Sequence, residues 1–115
     1  MNQEKEKILI NTGKEYYYSG IDEFNKSRYN SALVLFFKAL ISFSDLYILQ
    51  KTGNTPSSHT ERFSITKENF FEVYNLLDKD FPFYQSSYIQ KISKELAEVV
   101  KNDAEIMAKE AKAEL

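Results

Sequence analysis

His59 and Arg62 lie three residues apart, directly after Ser58, and at that spacing a helix would carry both side chains on one face of its first turn. Unpaired backbone N–H groups and the helix dipole favour an anion there, so Ser58, His59 and Arg62 are the candidate residues for holding a phosphate or a nucleotide. The purely structural alternative is that His59 tops the turn while Arg62 pairs with Glu61 or another surface carboxylate. His59 is the chain's one histidine, and no orienting partner for a general base is evident beside it. Tyr16 and Tyr29 are candidates for stacking on exposed RNA bases, Tyr29 beside Arg28 and Tyr16 opening a run of three tyrosines. The competing role for such rings is core packing with the hydroxyls at the rim. Asp45 and Asp103 would be two halves of a carboxylate metal site only with a Glu-x-x-His companion, which is missing, so they read as solvated or singly paired and no metal is assigned. There is also no glycine-rich phosphate loop, no G-x-S-x-G and no His-Glu-x-x-His. No catalytic residue and no cofactor are therefore assigned.

The elements that must position these residues are helical. Apolar residues from Ile8 to Phe24 recur near helical spacing, predicting a first helix from Gln3 to about Asn25, interrupted but not forbidden by Gly13 and Gly20. After a short connection in which Ser27 or Asn30 is placed to cap, residues from about Tyr29 to Lys51 are apolar on almost every side. That pattern predicts a central helix covered all round. Gly53 suits a left-handed cap after it, and Pro56 prevents its continuation. Ser58 and Glu61 fit a capping box that starts a third helix near His59. Its apolar positions persist to Asp78, with Ser64, Thr66 and Asn69 diluting the middle, so one continuous helix and two short ones fit the pattern equally. Asp80 as a cap and Pro82 in a first turn predict a fourth helix from Pro82 or Ser86 to near the end, with Tyr88, Ile92, Leu96, Val99, Ile106 and Met107 as its buried stripe. The tail AKEAKAEL has helix propensity with almost no apolar face and should project into solvent or pack weakly.

These segments describe an all-α fold, an antiparallel four-helix bundle in a single domain spanning 1–115. At 115 residues with 43% hydrophobic and 15% aromatic content, the chain can build one core. The absence of cysteine excludes a disulfide framework and thiolate metal sites and is compatible with a reducing cytoplasm. No leader pattern is evident, and the longest apolar run, Ala32 to Phe37, is too short to cross a bilayer, so no membrane partner is expected and the expected location is cytoplasmic. Fifteen basic against seventeen acidic residues give a net charge of −2, and arginine occurs only at positions 28 and 62. A local basic patch remains open, but extensive sequence-specific DNA reading is not expected.

The pair SGIDEFNKSRYNSALVLFFKAL resembles one tetratricopeptide unit, with Tyr16, Gly20, Ala32, Phe36 and Ala39 near the spacing at which two antiparallel helices interlock. No second copy follows at the expected period. Over most of its length the chain resembles a HEPN domain (higher eukaryotes and prokaryotes nucleotide-binding). The likeness lies in a first helix leading through NKSRYNSA into an apolar helix ending LQKTG, then the turn Pro56-Ser57-Ser58-His59 and further helical segments. HEPN ribonucleases carry an Arg followed four to six residues later by a His, and neither Arg28 nor Arg62 is followed that way. The resemblance thus implies a four-helix fold and a non-catalytic binding module working through protein contacts. Its implied partners are a second copy, as a homodimer, and a minimal nucleotidyltransferase in a toxin-antitoxin-like system. The alternative is an atypical RNA-binding protein or ribonuclease using His59 and Arg62.

Overall fold

Gly13 and Gly20 determine how closely the first two helices approach. A methyl group on Gly20 would stand 2.6 Å from the Phe36 ring, and one on Gly13 would lie within 2.8 Å of three ring carbons of Phe43. The computed structural model, which describes residues 2–115, places these glycines on α1 (Gln3–Asn25) facing α2 (Tyr29–Thr52). The N-terminal half of α1 meets the C-terminal half of α2, Leu9 with Ser42 and Gly13 with Phe43, and its later residues meet earlier ones, Gly20 with Phe36 and Phe24 with Tyr29, so the two helices run antiparallel. The aromatic rings of α2 occupy the volume that the glycines leave.

α2 is the centre of the molecule. Thirteen of its residues are buried, with Leu33, Phe36, Phe37, Leu40, Phe43 and Leu46 almost wholly enclosed. It is also long and apolar enough to cross a membrane, although its longest unbroken apolar run is short; two-thirds of its most apolar stretch is covered by the other helices. Gly53, at φ +82°, ends it with a bond from its N–H to the Leu49 carbonyl at 2.8 Å, as its position predicted.

α3 (His59–Asn69) and α4 (Phe71–Ser86) are the two pieces of the divided third helix, separated at Phe70, one residue past Asn69. Ser58 caps α3 by accepting from the Glu61 N–H at 3.1 Å, while the Glu61 carboxylate turns to the N–H and hydroxyl of Ser57. α4 runs antiparallel to α2, with Tyr84 stacked on Phe37 and Phe70 edge-on to Tyr47. α5 (Lys94–Glu110) starts at a Ser93 cap and lies along α2 in the same direction, as the contacts of Asn30 with Ile92 and Gln50 with Ala111 show.

Several sequence-based expectations are corrected here. Asp80 does not cap a helix: it is fully buried in the middle of α4, and Pro82 lies inside the same helix rather than in a first turn. Leu77, Phe81 and Tyr84 continue one face across the proline onto the core, and that packing outweighs the lost backbone bond. The final helix begins at Lys94, because Asn30 captures the preceding segment as a loop. The stripe of α5 is also rotated from the predicted one. Tyr88, Val99 and Ile106 are exposed, and Ala97, Val100, Ala104, Met107 and Ala108 are buried. Alanines on this face let α5 pack against α2, with Val100 and Met107 filling the space between them. The tail packs too, with Ala111 and Ala113 buried.

Candidate functional site

Arg62, on the first turn of α3, reaches into the core and clasps Asp45 of α2 with both prongs. Its Nε donates to Asp45 Oδ1 at 2.6 Å and its Nη2 to Oδ2 at 2.9 Å. Both side chains are nearly enclosed, at 10% and 12% exposure, so this is a buried bidentate ion pair rather than the surface pairing with Glu61 that the sequence suggested. The remaining prong, Nη1, lies 2.9 Å from His59 Nδ1. A guanidinium has no acceptor, so Arg62 is the donor and Nδ1 the acceptor, which leaves the ring proton on Nε2. Partial burial, then the adjacent Arg62 charge, hold the imidazole below its ordinary pKa and hence neutral.

The Asp45, Arg62 and His59 chain ends at a cleft of about 260 Å³ between α1, α2 and α4. Tyr16 and Thr12 face it from α1, Lys38, Ser42 and Asp45 from α2, and Tyr84 from α4, with His59 at the rim. Lys38 Nζ sits 6.0 Å from the centre of the Tyr16 ring and has no ion-pair partner among the described residues. Of the residues singled out in the sequence, the structure thus brings His59 and Tyr16 to one cleft and puts Arg62 behind it as a strut. Ser58 is used as a helix cap, and Tyr29 stands at the far end of α2 against Phe24. Asp45 and Asp103 belong to different clusters.

Asp103 of α5 instead joins Asp80 of α4 and Lys79. The Lys79 ammonium is 2.8 Å from Asp103 Oδ2 and 4.0 Å from Asp80 Oδ1. Burial first, and then hydrogen bonding to and repulsion by Asp103, push the Asp80 carboxyl up to about 9. Burial beside the Asp103 carboxylate therefore favours the neutral, protonated form of Asp80.

A third arrangement is the loop between α4 and α5. Asn30 pins it with its whole amide, donating to the carbonyls of Ser87 at 2.9 Å and Gln90 at 2.7 Å and accepting from the Ile92 N–H at 2.9 Å. Ile92 is buried below, while Tyr88 and Ile89 at the tip are 71% and 83% exposed, the most exposed large apolar side chains among the described residues. Beside the tip runs a broad groove of about 620 Å³ in which Val34 and Leu35 lie between Asp22, Glu23 and Lys26.

The sequence matches no protein-family model and no curated protein. Residue type alone does not mark Lys38 or Asn30 as site residues, although the sequence carries one signal for the cleft. From Tyr29 to Gln50 the only charged residues are Lys38 and Asp45, seven apart and so on one helical face. A buried charge such as Asp45 on an otherwise apolar helix requires a partner, which Arg62 supplies.

Proposed function

We propose that the chain is a non-catalytic helical binding module of HEPN type that acts through protein contacts, first of all with a second copy of itself. The observation that carries this reading is the Asn30-pinned loop. Three hydrogen bonds hold its backbone in place, so Tyr88 and Ile89 are presented without the ordering cost that a mobile loop would meet on binding. The adjoining groove bears acidic Asp22 and Glu23 and basic Lys26, a mixture that becomes complementary when a two-fold axis brings two copies face to face. A small nucleotidyltransferase is the second partner in this reading, and the cytoplasm its compartment. Ribonuclease chemistry is disfavoured because the Arg62 charge is neutralised by the buried Asp45 carboxylate, and the lone pair of His59 Nδ1 is taken by Arg62.

Sedimentation of the purified chain over a range of concentrations tests the self-association. A dimer is expected, converted to monomer by Ile89→Asp, a change at an exposed position that leaves the fold intact. A wild type that stays monomeric at high concentration overturns the homodimer. Cleavage of varied RNAs by the wild type, lost in His59→Ala, would replace the binding-module reading with the enzymatic one.

A further inference from the structure

The His59 cleft is not needed for contacts at the Tyr88 loop, yet each of its free polar groups can donate and its one uncompensated charge is positive. Asp45 is the one acid lining it, and both of its oxygens accept from Arg62. Ser42 is turned away and donates to the Leu9 carbonyl at 2.8 Å. What remains unspent is the Lys38 ammonium, the Nε2–H of His59 and the hydroxyls of Thr12 and Tyr16. With the Asp45 and Arg62 charges cancelled, Lys38 leaves the cleft net positive.

The walls are apolar. Leu9, Phe37 and Ile41 form them, with the rings of Tyr16 and Tyr84. Tyr84 is held by stacking on Phe37 with centroids 4.8 Å apart and by a 2.8 Å hydrogen bond with the Tyr88 hydroxyl. His59 packs against Phe81 at 5.9 Å and is fixed on its other edge by Arg62, so its free N–H has a set direction. The space is somewhat below that of sites for drug-sized molecules, which start at about 300 Å³. One ring with one substituent fills it.

We infer that this cleft is a binding site for a small ligand joining one flat ring to an anionic group, a phosphomonoester or a carboxylate. The anion is held by Lys38 and the Nε2–H of His59, the ring lies between Tyr16 and Tyr84, and Arg62 is a positioning residue that fixes the histidine tautomer. The inference does not rest on the protein-contact reading, since neither Lys38 nor His59 belongs to the loop or its groove.

The test is a nuclear magnetic resonance titration of the full chain with phenyl phosphate, benzoate and inorganic phosphate. Saturable shifts at Thr12, Lys38 and His59 are expected with a ring-bearing probe, and about tenfold weaker binding of inorganic phosphate, which lacks the ring. The tighter of phenyl phosphate and benzoate identifies the anionic group. Lys38→Ala, at an exposed position, should weaken binding about tenfold, the loss of one charge-assisted hydrogen bond. His59→Phe should do the same, while His59→Gln, whose amide still donates, retains most of the affinity. A merely structural histidine would not show that rescue. No saturable binding of either ring-bearing probe, binding unaffected by Lys38→Ala, or equal binding of inorganic phosphate overturns the inference.

Discussion

Asp80 sits in the middle of a helix with both carboxylate oxygens buried and no conventional donor bonded to either. A shared proton accounts for this. Protonated Asp80 can donate to Asp103, whose charge is in turn balanced by Lys79. The arrangement has a cost that depends on pH. An unfolded aspartate releases its proton near pH 4, whereas the folded one holds it to about pH 9. Across that window the folded state binds the extra proton, so this group's contribution is fully present below pH 4 and is lost as pH rises toward 9. Asp80→Asn keeps a donor toward Asp103 without a proton to lose. Urea midpoints at pH 5, 7 and 9 should show the variant gaining on the wild type as pH rises, with the largest difference at pH 9. A constant difference across that range would show that Asp80 does not carry the proton. His59 works in the opposite sense. Its lowered pKa means that the unfolded chain takes up the proton first, so its contribution is present above about pH 6.5 and declines as pH falls below it.

At the level of the helices, α1 and α2 meet through a fit between missing and large side chains. Gly20 is a poor helix former, and Ala would improve local propensity by about 1 kcal/mol. Its methyl group, however, would collide with the enclosed Phe36 ring, and such overpacking costs about 1 to 3 kcal/mol. The clash therefore wins, and Gly20→Ala should lower the thermal midpoint, as should Gly13→Ala against Phe43. An unchanged or raised midpoint would mean that the rings move aside freely. These glycines also show where the sequence was readable. The length of α2, its Gly53 end and the Ser58 cap follow from local periodicity and capping chemistry, whereas the sequence leaves open whether the third helix divides near Asn69. The face of α5 does not, because Ala97, Ala104 and Ala108 score as weakly apolar while Val99 and Ile106 score strongly. Only the close approach to α2 reverses that order. Likewise Asn30 reads locally as a cap, and its role as a clamp depends on backbone more than fifty residues away. The cleft was half legible. His59 and Tyr16 were identifiable by type, but the partnership of Arg62 with Asp45, seventeen positions upstream, is a tertiary fact.

In the whole molecule, which measures about 40 × 25 × 20 Å, α2 is a hub. α1, α4 and α5 pack on it and touch one another only lightly. α3 is attached differently. It leans on α4 through Phe63 and Phe81, and its bond to α2 is the buried pair of Arg62 with Asp45. Stability should follow that wiring, since local opening is easiest where apolar contact with the core is least. Amides of α2 are expected to exchange only when the whole fold opens, and those of α3 through a smaller, separate opening. Arg62→Ala discriminates the two. Removing one partner of a buried pair leaves the other charge uncompensated, at a cost of about 3 to 5 kcal/mol. If α3 can detach by itself, Asp45 regains water in the opened form and the loss appears chiefly as faster exchange in α3, with α2 protected as before. If the bundle instead yields as one unit, α2 and α3 lose protection equally. The first outcome is expected because the rings that fill the core, Phe36, Phe37 and Phe43, are enclosed without any contribution from Arg62. It would also make the His59 cleft the most easily opened part of the molecule, so that a ligand seated there should slow exchange in α3 before it affects any other helix.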